Sequence, residues 1–247
     1  MIKICCVYFN DVYPPYYVDR LYDDLKRYCQ VDFEFVCYSD TPDIKCDKYI
    51  PLPDWQNGQI KRHWHKLKFL DKEFIGDGDI LIIDIDQIIL KDITAMVSAE
   101  VKPNEILTTE LWWSENRYNK VVNAGWYKFK SGTLKKTILD EFMKDPEYYQ
   151  LKYYNLGIRK KYYGEQLFLY QQCIDNDIKV NYYPGEWAIK YSNSYDKETL
   201  ISLNTLYCMK FNQEYMAIDN QFNENIKIIH FSDYKDYQNT IDEDIWT

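Results

Sequence analysis

Two aspartates one residue apart, Asp84 and Asp86, close the apolar run Ile80-Leu81-Ile82-Ile83. In an extended segment, positions i and i+2 point to the same side. Both carboxylates can then converge on one hard cation such as Mg²⁺ or Mn²⁺, which prefers oxygen ligands. The other reading is a pair of solvated acids opening a turn. The residues that follow weigh against it, because Gln87 leads into a second apolar run, Ile88-Ile89-Leu90. Acids set between apolar segments cost free energy unless something compensates them.

Other residue types suited to the same chemistry are spread along the chain. His230, one of three histidines, follows Ile228-Ile229. An imidazole can join two carboxylates around Mn²⁺, although a histidine at a strand end also serves as an ordinary structural residue. His63 and His65 fall on a predicted helix, where i and i+2 do not share a face. They are therefore poor joint ligands, and a surface or core role is expected for both. Lys66 on that helix is placed to neutralise phosphate charge, or is simply solvated among Lys61, Arg62 and Lys68. Lys235 is a second candidate of this kind.

Asn123 carries a donor and an acceptor, as sugar hydroxyls require. Ala124-Gly125 removes side-chain bulk, which would let a sugar approach the backbone, or marks a plain glycine bulge. Glu165 and Gln166 open a predicted helix, where an acid also suits the helix dipole. Trp187 and the Trp112-Trp113 pair are candidates for stacking on sugar faces, or for the core. Arg159, Lys160 and Lys161 form a basic cluster that is solvated or meets an anionic acceptor.

These residues need a scaffold, and the hydropathy pattern supplies one. Ile2 to Phe9, Val31 to Tyr38, Tyr49 to Pro53 and Asp79 to Ile83 read as strands, with a helix over Tyr17 to Tyr28. Gln59 to Ile75 reads as one helix, with Ile60, Trp64, Leu67, Leu70 and Phe74 on one face, stopped by Gly76-Asp77-Gly78. Ile106 to Thr109, Val121 to Phe129, Ile178 to Tyr183 and Ile226 to Phe231 read as further strands. Thr133 to Met143 and Gly164 to Asp175 read as helices. The β-α-β opening is that of an open α/β sheet, where ligands bind at the carboxyl ends of strands.

Composition narrows the function. The 247 residues suffice for one substantial core, and the formal net charge is -9. That balance disfavours a broad nucleic-acid-binding surface and suits recruitment of a divalent cation. The seven cysteines are odd in number, form no CxxC pair, and sit partly in apolar runs, so reduced thiols are expected. No apolar stretch approaches the ~20 residues of a membrane span. The start runs straight into a strand, so no signal peptide is expected, and a cytoplasmic location, bacterial or viral-host, is expected. A membrane-bound acceptor would be met at the surface.

The segment His63-Trp64-His65-Lys66-Leu67-Lys68-Phe69, followed by Gly76-Asp77-Gly78-Asp79 and the apolar strand into Asp84-Ile85-Asp86, resembles the donor-binding core of GT-A-fold glycosyltransferases. It is most similar to the glycogenin-like and bacterial lipooligosaccharide-galactosyltransferase-like group. Val122-Asn123-Ala124-Gly125 resembles that family's N-[SA]-G segment against the donor sugar. Gly164-Glu165-Gln166 resembles its [DE]-Q segment, and Ile228-Ile229-His230-Phe231 its late I-x-H-F segment. The sequence departs from the pattern in having Glu165 where Asp is frequent, and in lacking the glycine that often follows the late histidine.

The resemblance implies a mixed, mostly parallel α/β sheet flanked by helices, with a helical C-terminal half. Residues 1–130 would form the nucleotide-sugar-binding half and 131–247 the acceptor-binding half. It implies transfer of a sugar from a nucleotide-diphosphate sugar, UDP-linked by preference, to a hydroxyl of a glycan, protein or glycolipid, with retention of configuration. Asp84, Asp86 and His230 would hold Mn²⁺ or Mg²⁺. Val7, Tyr8, Phe9, Asn10, Asp40, Lys66, Ile85, Asn123, Ala124, Gly125 and Lys235 would line the donor, with Glu165, Gln166 and Asn123 at the reacting sugar.

Three other classes compete. A haloacid-dehalogenase-type phosphatase also ends an apolar strand in D-x-D, with Asp84 as nucleophile, but that motif usually opens its domain. A sugar nucleotidyltransferase would want a glycine-rich loop after the first strand, which Val7 to Pro15 lacks. A non-catalytic glycan-binding α/β domain needs no intact set of acids.

Overall fold

The computed structural model describes residues 1–52, 58–110, 121–134, 137–157, 164–191 and 226–231. Strands β1 (Ile2–Tyr8), β2 (Phe33–Ser39), β3 (Lys48–Pro51), β4 (Asp79–Ile83), β6 (Glu105–Thr108), β7 (Trp126–Lys130) and β8 (Lys179–Tyr182) form one sheet in the order β3-β2-β1-β4-β7-β6-β8. Its pairings are parallel except those of β7, which runs antiparallel to β4 and β6. A small sheet joins β5 (Gln87–Ile89), β10 (Ile228–Phe231) and β9 (Ala188–Tyr191) in the order β5-β10-β9.

The central strands are apolar throughout because both faces of the sheet are covered. Along β1, Ile4, Cys6 and Tyr8 pack with Leu81 and Ile83 on the side of helix α1 (Tyr16–Tyr28), whose Val18, Leu21 and Leu25 are buried. Cys5 and Val7 pack with Ile80 and Ile82 on the other side, against Trp64, Leu67, Phe142 and Phe168. Helices α4 (Thr137–Lys144), α5 (Pro146–Gly157) and α6 (Glu165–Asp175) supply that second layer. Two short helices, α2 (Lys72–Ile75) and α3 (Thr94–Ser98), complete the set. No helix among the described residues is long and apolar enough to cross a membrane.

The predicted helix over Gln59 to Ile75 is not one helix. Arg62–Leu70 is a 3₁₀ helix that ends at Asp71, whose extended backbone (φ -81°, ψ 111°) starts α2 anew. Asp71 then accepts the Glu73 amide at 3.0 Å as the α2 cap. With three residues per turn, side chains at i and i+3 eclipse. Val121 to Phe129 is likewise a strand only from Trp126; Asn123 to Gly125 form a turn. Helix α5 escaped the sequence reading because its aromatics fall on every side: Tyr149 and Tyr153 pack inward while Tyr148 and Tyr154 are exposed.

Strand order changes direction between β1 and β4, with β2 and β3 on one side and β4 on the other. A crevice opens at such a switch point, outside the carboxyl ends of the two strands. Phe9 and Asn10 leave β1 there, Asp40 leaves β2, and Asp84 leaves β4.

Candidate active site

Asp84 to Asp86 form a bend between β4 and β5 rather than a continuation of the strand. Ile85 turns into the core at 6% exposure, packed with Ile83 and Ile88. The flanking acids lie at the carboxyl end of β4, Asp86 buried and Asp84 partly exposed. The bend is fixed from the β7 side, where the Asp84 amide donates to the Gly125 carbonyl at 3.0 Å and the Gln87 side-chain amide donates to that same oxygen. Gly125 therefore ties the acidic bend to the Asn123 turn.

His230 arrives through the small sheet. Strand β10 pairs antiparallel with β5, setting His230 opposite Gln87, one residue from Asp86. Its Nδ1 lies 3.4 Å from Asp86 Oδ1. One ligand atom from each of Asp84, Asp86 and His230 lies within 4.8 Å of the others, with Asp86 and His230 buried. Two hard carboxylates and one imidazole, converging from a rigid strand end and a paired strand, suit Mn²⁺ or Mg²⁺.

Lys66 lies beside this group, only 5% exposed. Its ammonium contacts Asp84 Oδ1, sits 3.3 Å from Glu165 Oε1, and donates to the Ala124 carbonyl at 3.2 Å. Burial works against its charge, but Asp84 and Glu165 outweigh it and hold Lys66 above the ordinary lysine range. Glu165, the first residue of α6, is 6% exposed. Burial alone would raise its pKa; the attraction of His63 and Lys66 overcomes that and keeps the carboxyl below the usual glutamate value. His63 Nε2 reaches Glu165 Oε2 at 3.2 Å.

Asn123 is fully buried and its side chain is spent on local structure. Its Oδ1 accepts the Gly125 amide at 3.0 Å, and its Nδ2 donates to Thr109 Oγ1 at 3.0 Å and to the Glu110 carbonyl at 3.1 Å. Thr108 Oγ1 closes the turn by donating to the Trp126 carbonyl at 2.9 Å and accepting the Asn123 amide at 3.1 Å. Ala124 is also buried.

At the β1 end, Val7, Tyr8 and Phe9 are buried, while Asn10 is exposed and donates its amide to Asp40 Oδ1 at 3.0 Å. The Tyr8 hydroxyl donates to the Tyr13 carbonyl at 2.8 Å. His65 is a packing residue, with Nε2 2.9 Å from the Ile60 carbonyl and its ring against Phe9 and Tyr38. Gln166 is half-buried in the first turn of α6. Trp187 sits against Tyr183, with Lys227 Nζ 5.3 Å from its ring centre. Lys235, Trp112, Trp113 and the cluster Arg159, Lys160 and Lys161 lie outside the described residues.

The sequence reading gave Gln87 no role at the site and expected only a surface or core place for His63, whose side chain is 46% exposed. Gln87 stood within the motif, between the second acid and an apolar run, and that place was its only signal. The approach of His63 to Glu165 had no signal, because the two lie on different elements about 100 residues apart in the chain.

No family model and no curated protein matches the chain. Solved structures do. WbbM, a bifunctional glycosyltransferase in its apo form, superposes with a TM-score of 0.60 at 11% identity, over 94% of this chain and 46% of its own. The glycosyltransferase GlyE of Streptococcus pneumoniae TIGR4 superposes at 0.55 and 12% identity, over 99% of this chain and 59% of its own. The galactosyltransferase LgtC, solved with donor and acceptor sugar analogues, superposes at 0.50 and 12% identity, over 94% and 87%. The chain spans under half the length of WbbM and under two thirds of GlyE. At these identities the likeness is one of fold, and the fold is the GT-A α/β fold of glycosyltransferases.

Proposed function

We propose that this GT-A-fold chain is a metal-dependent glycosyltransferase that moves a sugar from a nucleotide-diphosphate sugar, UDP-linked by preference, to an acceptor hydroxyl of a glycan, protein or glycolipid. The observation that carries this reading is the convergence of Asp84, Asp86 and His230 within 4.8 Å, beside the ends of β1 and β4. The glycosyltransferase folds of WbbM, GlyE and LgtC support it over the phosphatase and the non-catalytic readings.

Asp84, Asp86 and His230 would hold Mn²⁺ or Mg²⁺. When bound, the ion stabilises negative charge on the departing diphosphate as a Lewis acid. Val7 to Asn10 and Asp40 border the nucleoside, and Lys66 adds positive charge toward the phosphates. Glu165, kept ionised, accepts hydrogen bonds from sugar hydroxyls, with Gln166 beside it. Asn123 holds the Ala124-Gly125 turn against which the sugar rests. Lys235 is assigned to the diphosphate. Residues 1–130 form the donor-binding half, which His230, Lys235, Glu165 and Gln166 complete from residues 131–247, the half assigned to the acceptor.

Retention of configuration is the favoured outcome. An inverting enzyme needs a carboxylate base at the acceptor hydroxyl. Glu165 is a poor one, since its oxygens face Lys66 and His63 and its pKa is held low.

The test is a panel of nucleotide sugars with Mn²⁺, read as released nucleoside diphosphate. Release that disappears with EDTA and in Asp86→Ala supports the assignment. Hydrolysis of a generic phosphomonoester, lost in Asp84→Asn, would instead establish the phosphatase.

A further inference from the structure

A chain of polar contacts runs inward from the surface through four residues, His63, Glu165, Lys66 and Asp84. His63, with 46% of its side chain exposed, meets Glu165 Oε2 at 3.2 Å; Lys66 meets Glu165 Oε1 at 3.3 Å; and Lys66 also contacts Asp84 Oδ1. One carboxylate is therefore gripped by a different residue at each oxygen. The 3₁₀ winding of Arg62–Leu70 makes this geometry, because His63 and Lys66 are three apart and so eclipsed.

The approach of His63 is prepared from both sides. Gly164, which precedes Glu165, has φ +75°, and a Cβ there would meet His63 Nε2 at 3.0 Å. The His63 ring lies near-parallel to Trp64 at 27°, and Trp64 stacks on Phe142 with ring centres 5.1 Å apart.

Lys66 is shared between two acids, and only one of them belongs to the metal group. An ammonium on Asp84 competes with a cation for that carboxylate. When a cation takes Asp84, the buried Lys66 still needs a counter-charge, and Glu165 is the acid within reach. Glu165 can fill that part only if its carboxylate stays in place. His63 fixes the oxygen that Lys66 does not use.

We propose that His63 is a positioning residue for the metal site: it keeps Glu165 in place as the counter-charge that Lys66 falls back on when a divalent cation takes Asp84. This rests on the reading of Asp84, Asp86 and His230 as metal ligands. It does not rest on the identity of the donor.

The test is Mn²⁺ binding to the full chain at fixed neutral pH, measured calorimetrically for wild type, His63→Ala and His63→Gln, with the melting temperature of each. Loss of an outer-shell partner weakens metal binding on the order of tenfold, and that loss is expected for His63→Ala. His63→Gln keeps a side-chain amide donor and is expected to recover most of the affinity. A purely structural role would shift the melting temperature and leave the affinity unchanged. Equal Mn²⁺ affinity in wild type and His63→Ala overturns the proposal alone. A wild type that binds no Mn²⁺ overturns it together with the metal reading. Wild type that binds Mn²⁺ but turns over no nucleotide sugar ends the transferase assignment and leaves the positioning role standing.

Discussion

The ammonium of Lys66 rests on Oδ1 of Asp84, so a buried lysine already occupies one carboxylate of the acidic bend. That contact joins the helical layer to the end of β4 and makes the site a network rather than three separate ligands.

Replacement of Asp86 by Ala is expected to weaken Mn²⁺ binding by ~100-fold or more, since even outer-shell changes cost 10- to 100-fold. His230→Gln should cost less, because the two carboxylates remain. Calorimetric titration of Mn²⁺ into each variant checks the order. Equal losses for both, or none for Asp86→Ala, would move the cation site elsewhere.

Asn123→Ala removes three hydrogen bonds from a fully buried turn. Leaving the Gly125 amide and its neighbours without partners is expected to destabilise the fold by about 2–4 kcal/mol. Urea unfolding reads this directly. A variant as stable as wild type, but defective in donor turnover, would return Asn123 to direct sugar contact.

Gly164 stands at φ +75°, in the left-handed region, with His63 Nε2 close by. Gly164→Ala pays both the backbone strain and a tight contact, and a loss of about 1–2 kcal/mol is expected from the strain alone. The same variant should push His63 off Glu165. Chemical denaturation and the Mn²⁺ titration would then change together.

Glu165 has a folded-state pKa below its ordinary value of 4.5, because His63 and Lys66 outweigh its burial. The sign follows from linkage. A lowered acid stabilises the fold fully above the unfolded value, and that contribution is lost as pH falls through the lower folded value. Stability should therefore drop on acidification below 4.5, and Glu165→Gln should flatten that part of the profile. Urea midpoints across the acid range test it; identical slopes in both proteins would remove Glu165 from the acid response.

Lys128 is fully buried at the far end of the sheet, 3.0 Å from Asp79 Oδ2, and donates to the Val97 and Ala99 carbonyls at 2.8 and 2.6 Å. Lys128→Met should cost about 1–3 kcal/mol by leaving those carbonyls unmatched. Mn²⁺ affinity should stay at the wild-type level, since this lysine is remote from the crevice. A loss of metal binding at full stability would contradict that separation.

The residue order alone marked the central strands of the sheet and the pair of acids that closes β4. Apolar runs at Ile4 to Val7 and Ile80 to Ile83 mark strands covered on both faces, and the burial of both alternating sets matches that. The extended geometry expected for Asp84 and Asp86 gives way to a bend, with Ile85 and Asp86 buried and Asp84 partly exposed. What the order could not decide was which residues meet across the fold. His230 reaches Asp86 only because β10 pairs with β5 in one register, and register is set by long-range pairing. His63 reaches Glu165 only once its helix packs against the start of α6, a contact between elements far apart in the chain. Hydropathy periods report what each segment buries against itself. The site is built from contacts between segments, and those exist only once the layers close.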